Sequence, residues 1–168
     1  MPDSKRLKIQ KALTAQLETI TLANGYSHHL ASSVVRGRLM LDANDMALVP
    51  LVSVLEDPKP GEIDYPDGGN AQVEKWRLLI SGWTVPDPVN PTDAPHALMR
   101  DVKLCLSKIR EDIQPHQEQT NTVWHLGGLI EDLAIGGGIC RPPDNYSGDA
   151  SYFLLPIVIN FLENMENP

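Results

Sequence analysis

The residue types most often used in catalysis and metal binding occur in this chain without the spacing that their chemistry needs. The five histidines include the adjacent pair His28 and His29, and no two form an HxH or HxxxH pair suited to a metal. No GxSxG motif places a nucleophilic serine. The acidic pairs at 111–112 and 131–132 are typical of solvated turns, whereas a general acid needs a buried carboxyl group. We therefore expect no catalytic residue, no cofactor and no metal site, and predict that the protein is not an enzyme.

Three consecutive glycines, at 136–138, suggest a phosphate-binding loop. A P-loop ends in Lys followed by Ser or Thr, and a dinucleotide-binding loop has GxGxxG at the start of a helix. Here the residues at 139–143 are Ile-Cys-Arg-Pro-Pro, which open no such helix. The two cysteines, Cys105 and Cys140, lie far apart without CxxC spacing, so they indicate neither a zinc site nor a disulfide framework and are typical of a reducing compartment.

The length and composition predict a single domain spanning residues 1–168. With 42% hydrophobic residues, a chain of this length has enough apolar surface to bury a core without a metal or disulfides. The formal charge of −8 argues against nucleic acid as the main partner, because a phosphate backbone requires a basic surface. The sequence contains no apolar run of 18 residues and no signal-peptide pattern, so we expect a soluble, cytosolic protein.

Helical spacing of apolar residues predicts two main helices. The first spans 4–22, is capped by Asp3 or Ser4 and ends before Asn24 and Gly25. The second begins after Asp93, which caps it. Its apolar stripe consists of Leu98, Met99, Val102, Cys105, Leu106 and Ile109. The position of Cys105 in this stripe indicates a core residue rather than a reactive thiol.

Alternating and β-branched segments predict three strands. The first covers 47–55 and lies near a sheet edge or is bulged at Pro50; the second covers 73–85, with a bulge at Gly82. The third covers 152–162, and its all-apolar face should pack on the helices. Weaker candidates are 33–40 and 130–135. Trp76 and Trp83 should face opposite sides of the second strand, so one of them serves a subunit contact, a second core or a covering loop.

The segment at 56–70 contains prolines and glycines that prevent regular pairing, and it is too long for a tight turn. We predict a long hairpin arm that contacts a partner, the alternative being a disordered insertion. The elements together predict an α+β fold: an antiparallel β-sheet with two main helices packed on one face and a long projecting β-hairpin arm.

The order of these elements follows a family pattern over nearly the whole chain. The stretches that carry the pattern are the helix at 9–20, the segment 34–42 leading into 47–57, the strand at 76–83, the helix at 96–106 and the closing segment 148–161. In this order the chain resembles the tail terminator (tail completion) proteins of long-tailed bacteriophages. It departs from them in the polar segment 114–125, which is longer than that pattern leads us to expect.

The resemblance implies a structural protein of the virion tail and neck, assembled in the host cytoplasm. It implies a homohexameric ring that docks on the last ring of tail tube protein, stops tube polymerisation and presents its other face to the head-tail connector protein. DNA would only pass through the lumen, which a net charge of −8 allows without gripping the phosphates. No membrane is involved.

A ring of this kind needs contact residues at its subunit and tube interfaces. The candidates in this sequence are Arg36, Arg38, Lys59, Tyr65 and Trp83. Sheet edges and the arm would pair across subunits by strand addition. One alternative is another head-tail connector or neck protein. The other is a small ligand-binding or enzymatic α+β domain, which would have a deep pocket lined by convergent polar groups.

Overall fold

A mixed six-stranded sheet forms the centre of the molecule in a computed structural model that describes residues 2–59, 69–110 and 123–166. The strands are β1 (Val34–Arg36), β2 (Leu51–Glu56), β3 (Ala71–Thr84), β4 (Asp132–Ile135), β5 (Ile139–Arg141) and β6 (Ser151–Asn164). The helices are α1 (Lys5–Leu17), α2 (Asp93–Arg110) and the short α3 (His125–Gly128), with 3₁₀ turns at Leu22–Asn24 and Ala43–Leu48. The α+β fold is confirmed.

The strand order is β1-β2-β3-β6-β4, and β5 pairs with β6 on the same side as β4. Among the described strands every pairing is antiparallel, as predicted, except that β1 runs parallel to β2. The chain between β1 and β2 contains the 3₁₀ turn Ala43–Leu48, whose Asp42 cap accepts a hydrogen bond from the Asn44 N–H. This connection leads the chain back so that β2 starts from the same end as β1, which a hairpin turn would not allow.

The longest element is the antiparallel pair of β3 and β6, in register from Ala71 opposite Asn164 to Thr84 opposite Ser151. Along β6 every second side chain is buried beneath the helices, as the alternation predicts. These residues are Phe153, Leu155, Ile157, Ile159 and Phe161. They belong to the main hydrophobic core, which also contains the buried faces of α1 and α2. We call this side of the sheet the helical face and the other side the open face.

The two main helices lie close to where the sequence predicts them. The Ser4 side chain caps α1 by accepting a hydrogen bond from the Leu7 N–H at 3.3 Å. The helix ends at Leu17, before the predicted limit at 22, and the chain continues as a tighter turn in which the Thr19 and Ile20 N–H groups donate to the Gln16 and Leu17 carbonyls. Gly25, at φ 85°, ends the following 3₁₀ turn instead. The predicted stripe of α2 is buried in full, Cys105 included.

Trp76 and Trp83 lie on opposite faces of β3, as predicted. Trp76 belongs to the main core and meets Phe161 edge to face, with 6.0 Å between ring centroids. Trp83 is only 2% exposed and belongs to a smaller cluster on the open face. The other buried members of that cluster are Leu41, Leu51, Ala150 and Tyr152. Trp83 is therefore part of a second core.

Several local predictions from the sequence were wrong. The predicted strand at 47–55 starts only at Leu51, because residues 43–48 form the 3₁₀ turn. The weaker strands shrink to Val34–Arg36 and Asp132–Ile135. Most of the predicted arm, at 60–68, and most of the polar segment 114–125 lie outside the described residues.

Gly82 forms no bulge, because it pairs regularly with Val52 on one side and Phe153 on the other. A glycine is required here for a different reason: a Cβ atom at this position would lie 2.2 Å from Cε1 of the Phe153 ring. The Phe153 ring covers the backbone of β3 and fills the core between the sheet and the helices. Close packing, not local strand geometry, explains this residue.

We predict that Gly82→Ala destabilises the protein by about 2 kcal/mol, because the new methyl group must displace the fully buried Phe153 ring. Urea unfolding at neutral pH measures the loss. Gly137→Ala is the matched control, since a Cβ there has no atom within 4 Å. Equal unfolding midpoints for the two variants would contradict the packing argument.

Candidate functional site

The structure separates the contact residues predicted from the sequence. Arg36 is exposed on β1, and Arg38 follows it with Nη1 2.6 Å from Asp45 Oδ1. Lys59 is exposed beyond the end of β2. Trp83 is buried in the second core, on the open face of the sheet, and Tyr65 lies outside the described residues. Arg36 and Arg38 share one sheet edge, whereas the other candidates do not join them.

The open face carries an apolar depression of about 240 Å³. Its lining consists of Leu39, Leu79, Ser81, Trp83, Tyr146, Ser147, Tyr152 and Leu154. Pockets for small ligands usually measure about 300 to 1,000 Å³ and converge several polar groups on the ligand. Here the rim is formed by Leu39 and Tyr146, which are 66% and 64% exposed. Such a surface is more typical of a protein contact than of an active site.

A hydrogen-bond network around Asp144 holds Tyr146 at this rim. Asp144 Oδ1 accepts hydrogen bonds from the backbone N–H groups of Tyr146 and Ser147, and Oδ2 accepts one at 2.5 Å from the Tyr152 hydroxyl. The Tyr152 hydroxyl also lowers the pKa of Asp144, while burial and then the Asp144 carboxylate raise the pKa of Tyr152. The loop before β6 is therefore ordered by its own side chains, and it holds an apolar ring at the surface.

Charge is divided unevenly between the helices and the rest of the chain. α1 and α2 contain eight of the 14 Lys and Arg residues but only two of the 22 Asp and Glu residues. Their formal charge is therefore +6, and that of the remaining chain is −14. A second surface depression, of about 300 Å³, lies on α2 beside His96, Arg100 and Lys103. The helical side of the molecule is thus basic, although the chain as a whole is acidic.

A buried carboxylate, Asp101, lies on α2 and was not predicted from the sequence. Asp101 Oδ2 accepts hydrogen bonds from the backbone N–H groups of Ser27 at 2.8 Å and His28 at 3.1 Å, and lies 2.7 Å from His28 Nδ1. Arg100 Nη2 donates to Oδ1 at 3.2 Å. Burial pushes the pKa of Asp101 upward, but the hydrogen bonds from His28, Arg100 and Ser27 outweigh it, so the pKa is lowered.

Asp101 ties the loop that precedes β1 to the middle of α2. A signal for this role exists in the sequence, because Asp101 falls inside the apolar stripe, three residues after Leu98 and four before Cys105. An acidic residue on the buried side of a helix requires polar partners. Those partners come from a distant loop, so the sequence does not name them.

The two edges of the sheet are open within the described part of the chain. No described strand pairs with the outer side of β1 or of β4. Exposed Arg36 lies on the first edge, and Leu39 and Met40 follow it as exposed apolar side chains. Exposed Glu131 and Asp132 lie at the start of the second edge. The open edges therefore carry opposite charges.

Comparison of the sequence with models of protein families and with curated proteins found no match. Within residues 2–59, 69–110 and 123–166, no group of three or more His, Cys, Asp or Glu side chains is placed to hold a metal ion. In the same part of the chain, no helix is long and apolar enough to cross a membrane.

We predict that Asp101→Asn lowers the free energy of unfolding by about 3 kcal/mol, because the loop N–H groups and His28 lose a charged acceptor. Since the pKa of Asp101 is lowered by folding, its stabilisation is present above the ordinary pKa of Asp and is lost as the pH falls through the folded value. Urea unfolding from pH 7 to pH 3 tests both effects. The exposed Asp149→Asn variant is the control and should unfold like the wild type. A parallel pH dependence for Asp101→Asn and wild type would contradict the assignment.

Proposed function

We propose that this chain is a structural protein of a bacteriophage virion. It forms a ring that caps the tail tube, ends tube polymerisation and joins the tail to the head connector. The observation that carries the proposal is a sheet covered by α-helices on one face only, with an apolar depression on the open face and two unpaired edges of opposite charge among the described residues. The family resemblance of the element order points to the same role.

The open edges support a ring because they differ from each other. In a head-to-tail ring, one patch on each subunit meets a different patch on the next. A sheet whose β1 edge carries Arg36 and whose β4 edge begins with Glu131 and Asp132 has two such patches. Identical edges would instead favour a two-fold dimer.

The division of charge supports two different axial neighbours. A terminator contacts the tube protein on one side and the connector protein on the other, so its two ends need different surfaces. The basic helices on one side and the apolar depression on the open face provide that difference. DNA passes through the lumen, and we propose no site that grips it.

Two alternatives share some of these features. A different head-tail connector or neck protein would also be a ring without catalytic groups, and it would bind the portal side rather than the tube. A small ligand-binding domain would use the depression around Leu39 and Tyr146. The depression is smaller than most ligand pockets and is lined mainly by apolar side chains, so we rank this alternative lower.

The test is the solution mass of the purified protein by light scattering over a range of concentrations, alone and with polymerising tube protein of the same phage. We expect a discrete assembly of about six subunits, on its own or at tube ends, and arrested tube growth. A ring that binds a connector but ignores tube ends would support the neck-protein alternative. A monomer that neither assembles nor arrests growth would overturn the proposal.

We predict that Leu39→Lys weakens tube capping about tenfold while leaving the unfolding midpoint unchanged, because Leu39 is 66% exposed and belongs to the open apolar surface. The concentration of protein needed to arrest half of the tube ends measures the effect. Val89→Lys is the control, since Val89 is 82% exposed in a loop outside that surface. Equal capping by both variants would exclude the open face as the contact.

A further inference from the structure

We propose that the ring closes by antiparallel pairing of β1 of one copy with β4 of the next copy, so that one sheet continues from subunit to subunit. The inference rests on the proposed ring and deepens it, since it names the edges, the direction and the register of the contact. Its occupant is a second copy of this chain.

Two residues of β1 turn their backbone N–H and C=O groups to the outer side of the sheet, where a neighbouring copy can bind them. The Val52 N–H donates to the Ser33 carbonyl and the Gly37 N–H donates to the Val54 carbonyl, both at 2.9 Å. Ser33 and Gly37 therefore turn their peptide groups towards β2, and in a parallel ladder Val35 between them does the same. Val34 and Arg36 turn theirs outward, where no described residue bonds to them.

The backbone of β4 also presents two residues. The Gly136 N–H donates to the Pro156 carbonyl at 2.8 Å, and antiparallel strands exchange hydrogen bonds at every second residue. Asp132 and Ala134 therefore face β6, whereas Leu133 and Ile135 turn their peptide groups outward. No described strand pairs with that outer side.

The strand directions are compatible. β2 is antiparallel to β3, β3 to β6 and β6 to β4, so β2 and β4 run in opposite directions. β1 is parallel to β2 and is therefore antiparallel to β4. A second copy placed beside the first with the same faces up brings its β1 against β4 in the antiparallel sense. The parallel position of β1 is what makes this possible.

The register follows from the outward residues. Both outward-facing residues of each strand can form backbone hydrogen bonds with the neighbouring copy when Val34 lies opposite Ile135 and Arg36 lies opposite Leu133. In this register Val34 and Ile135 lie together on the helical face, and Val35 lies opposite Ala134 on the open face. A slip by one residue would turn each side chain to the wrong face.

The same register brings unlike charges together. Arg36 lies opposite Leu133 of the neighbouring copy and diagonally across from its Glu131, on the same face of the sheet. Among the described residues, Arg36, Glu131 and Asp132 take part in no ion pair, whereas Arg38 already pairs with Asp45. Charge complementarity favours this order of subunits over contact between two identical edges.

Disulfide crosslinking tests the register directly. Val35→Cys with Ala134→Cys, in a Cys140→Ser background, places two thiols on a non-hydrogen-bonded antiparallel pair, whose Cα atoms lie about 4.5 Å apart and within disulfide range. We expect oxidation to give a ladder of linked subunits on a denaturing gel, up to the mass of the closed ring. The single-cysteine variants and the pair Val35→Cys with Ile139→Cys should stay unlinked. Linkage by Val35→Cys with Asp132→Cys instead would overturn the register.

Charge exchange provides a second test. Arg36→Glu and Glu131→Arg should each lower the fraction of assembled ring at 50 mM salt by at least tenfold, and the double variant should recover most of it. Urea unfolding of each variant establishes that the subunit still folds. Rings that form in the wild type but neither crosslink nor respond to these charges would overturn edge pairing and leave the proposed function standing. A wild type that never assembles would overturn both.

Discussion

β3 and β6 pair along fourteen residues, and this long antiparallel ladder positions every other element. Because side chains alternate along both strands, the ladder separates a helical face from an open face. The helical face buries Phe153 against Gly82, which has no side chain to keep the ring away. β2 adds to one side of the ladder, and β4 and β5 add to the other. Within the described residues, the sheet therefore ends at β1 on one side and at β4 and β5 on the other.

Asp101 links the helical layer to the first of these edges. Its carboxylate accepts two backbone N–H groups of the loop that leads into β1, so α2 sets where β1 begins. The cost of burying the charge is offset by hydrogen bonds from the loop, His28 and Arg100. The interaction is structural, but an assembly that uses β1 as a contact would depend on it.

The described surfaces are better suited to contacts with other proteins than to binding a small ligand. The depression on the open face is apolar and small, and its rim exposes Leu39 and Tyr146 to solvent. The basic helices and the apolar depression give the subunit two unlike surfaces, and the sheet edges give it two more. The ring and tube cap that we propose would require such differences, because each subunit would meet several neighbours through different patches.

Periodicity in the sequence determined the elements that are long and regular: the stripe of α2, the buried face of β6 and the opposite placement of Trp76 and Trp83. Each of these depends on side chains close together in sequence, whose burial follows from helix or strand geometry. Only the tertiary structure decided that β1 runs parallel to β2, that Gly82 makes room for Phe153 and that Asp101 holds a distant loop. These features join residues far apart in the chain, and their energies come from contacts that no local pattern records.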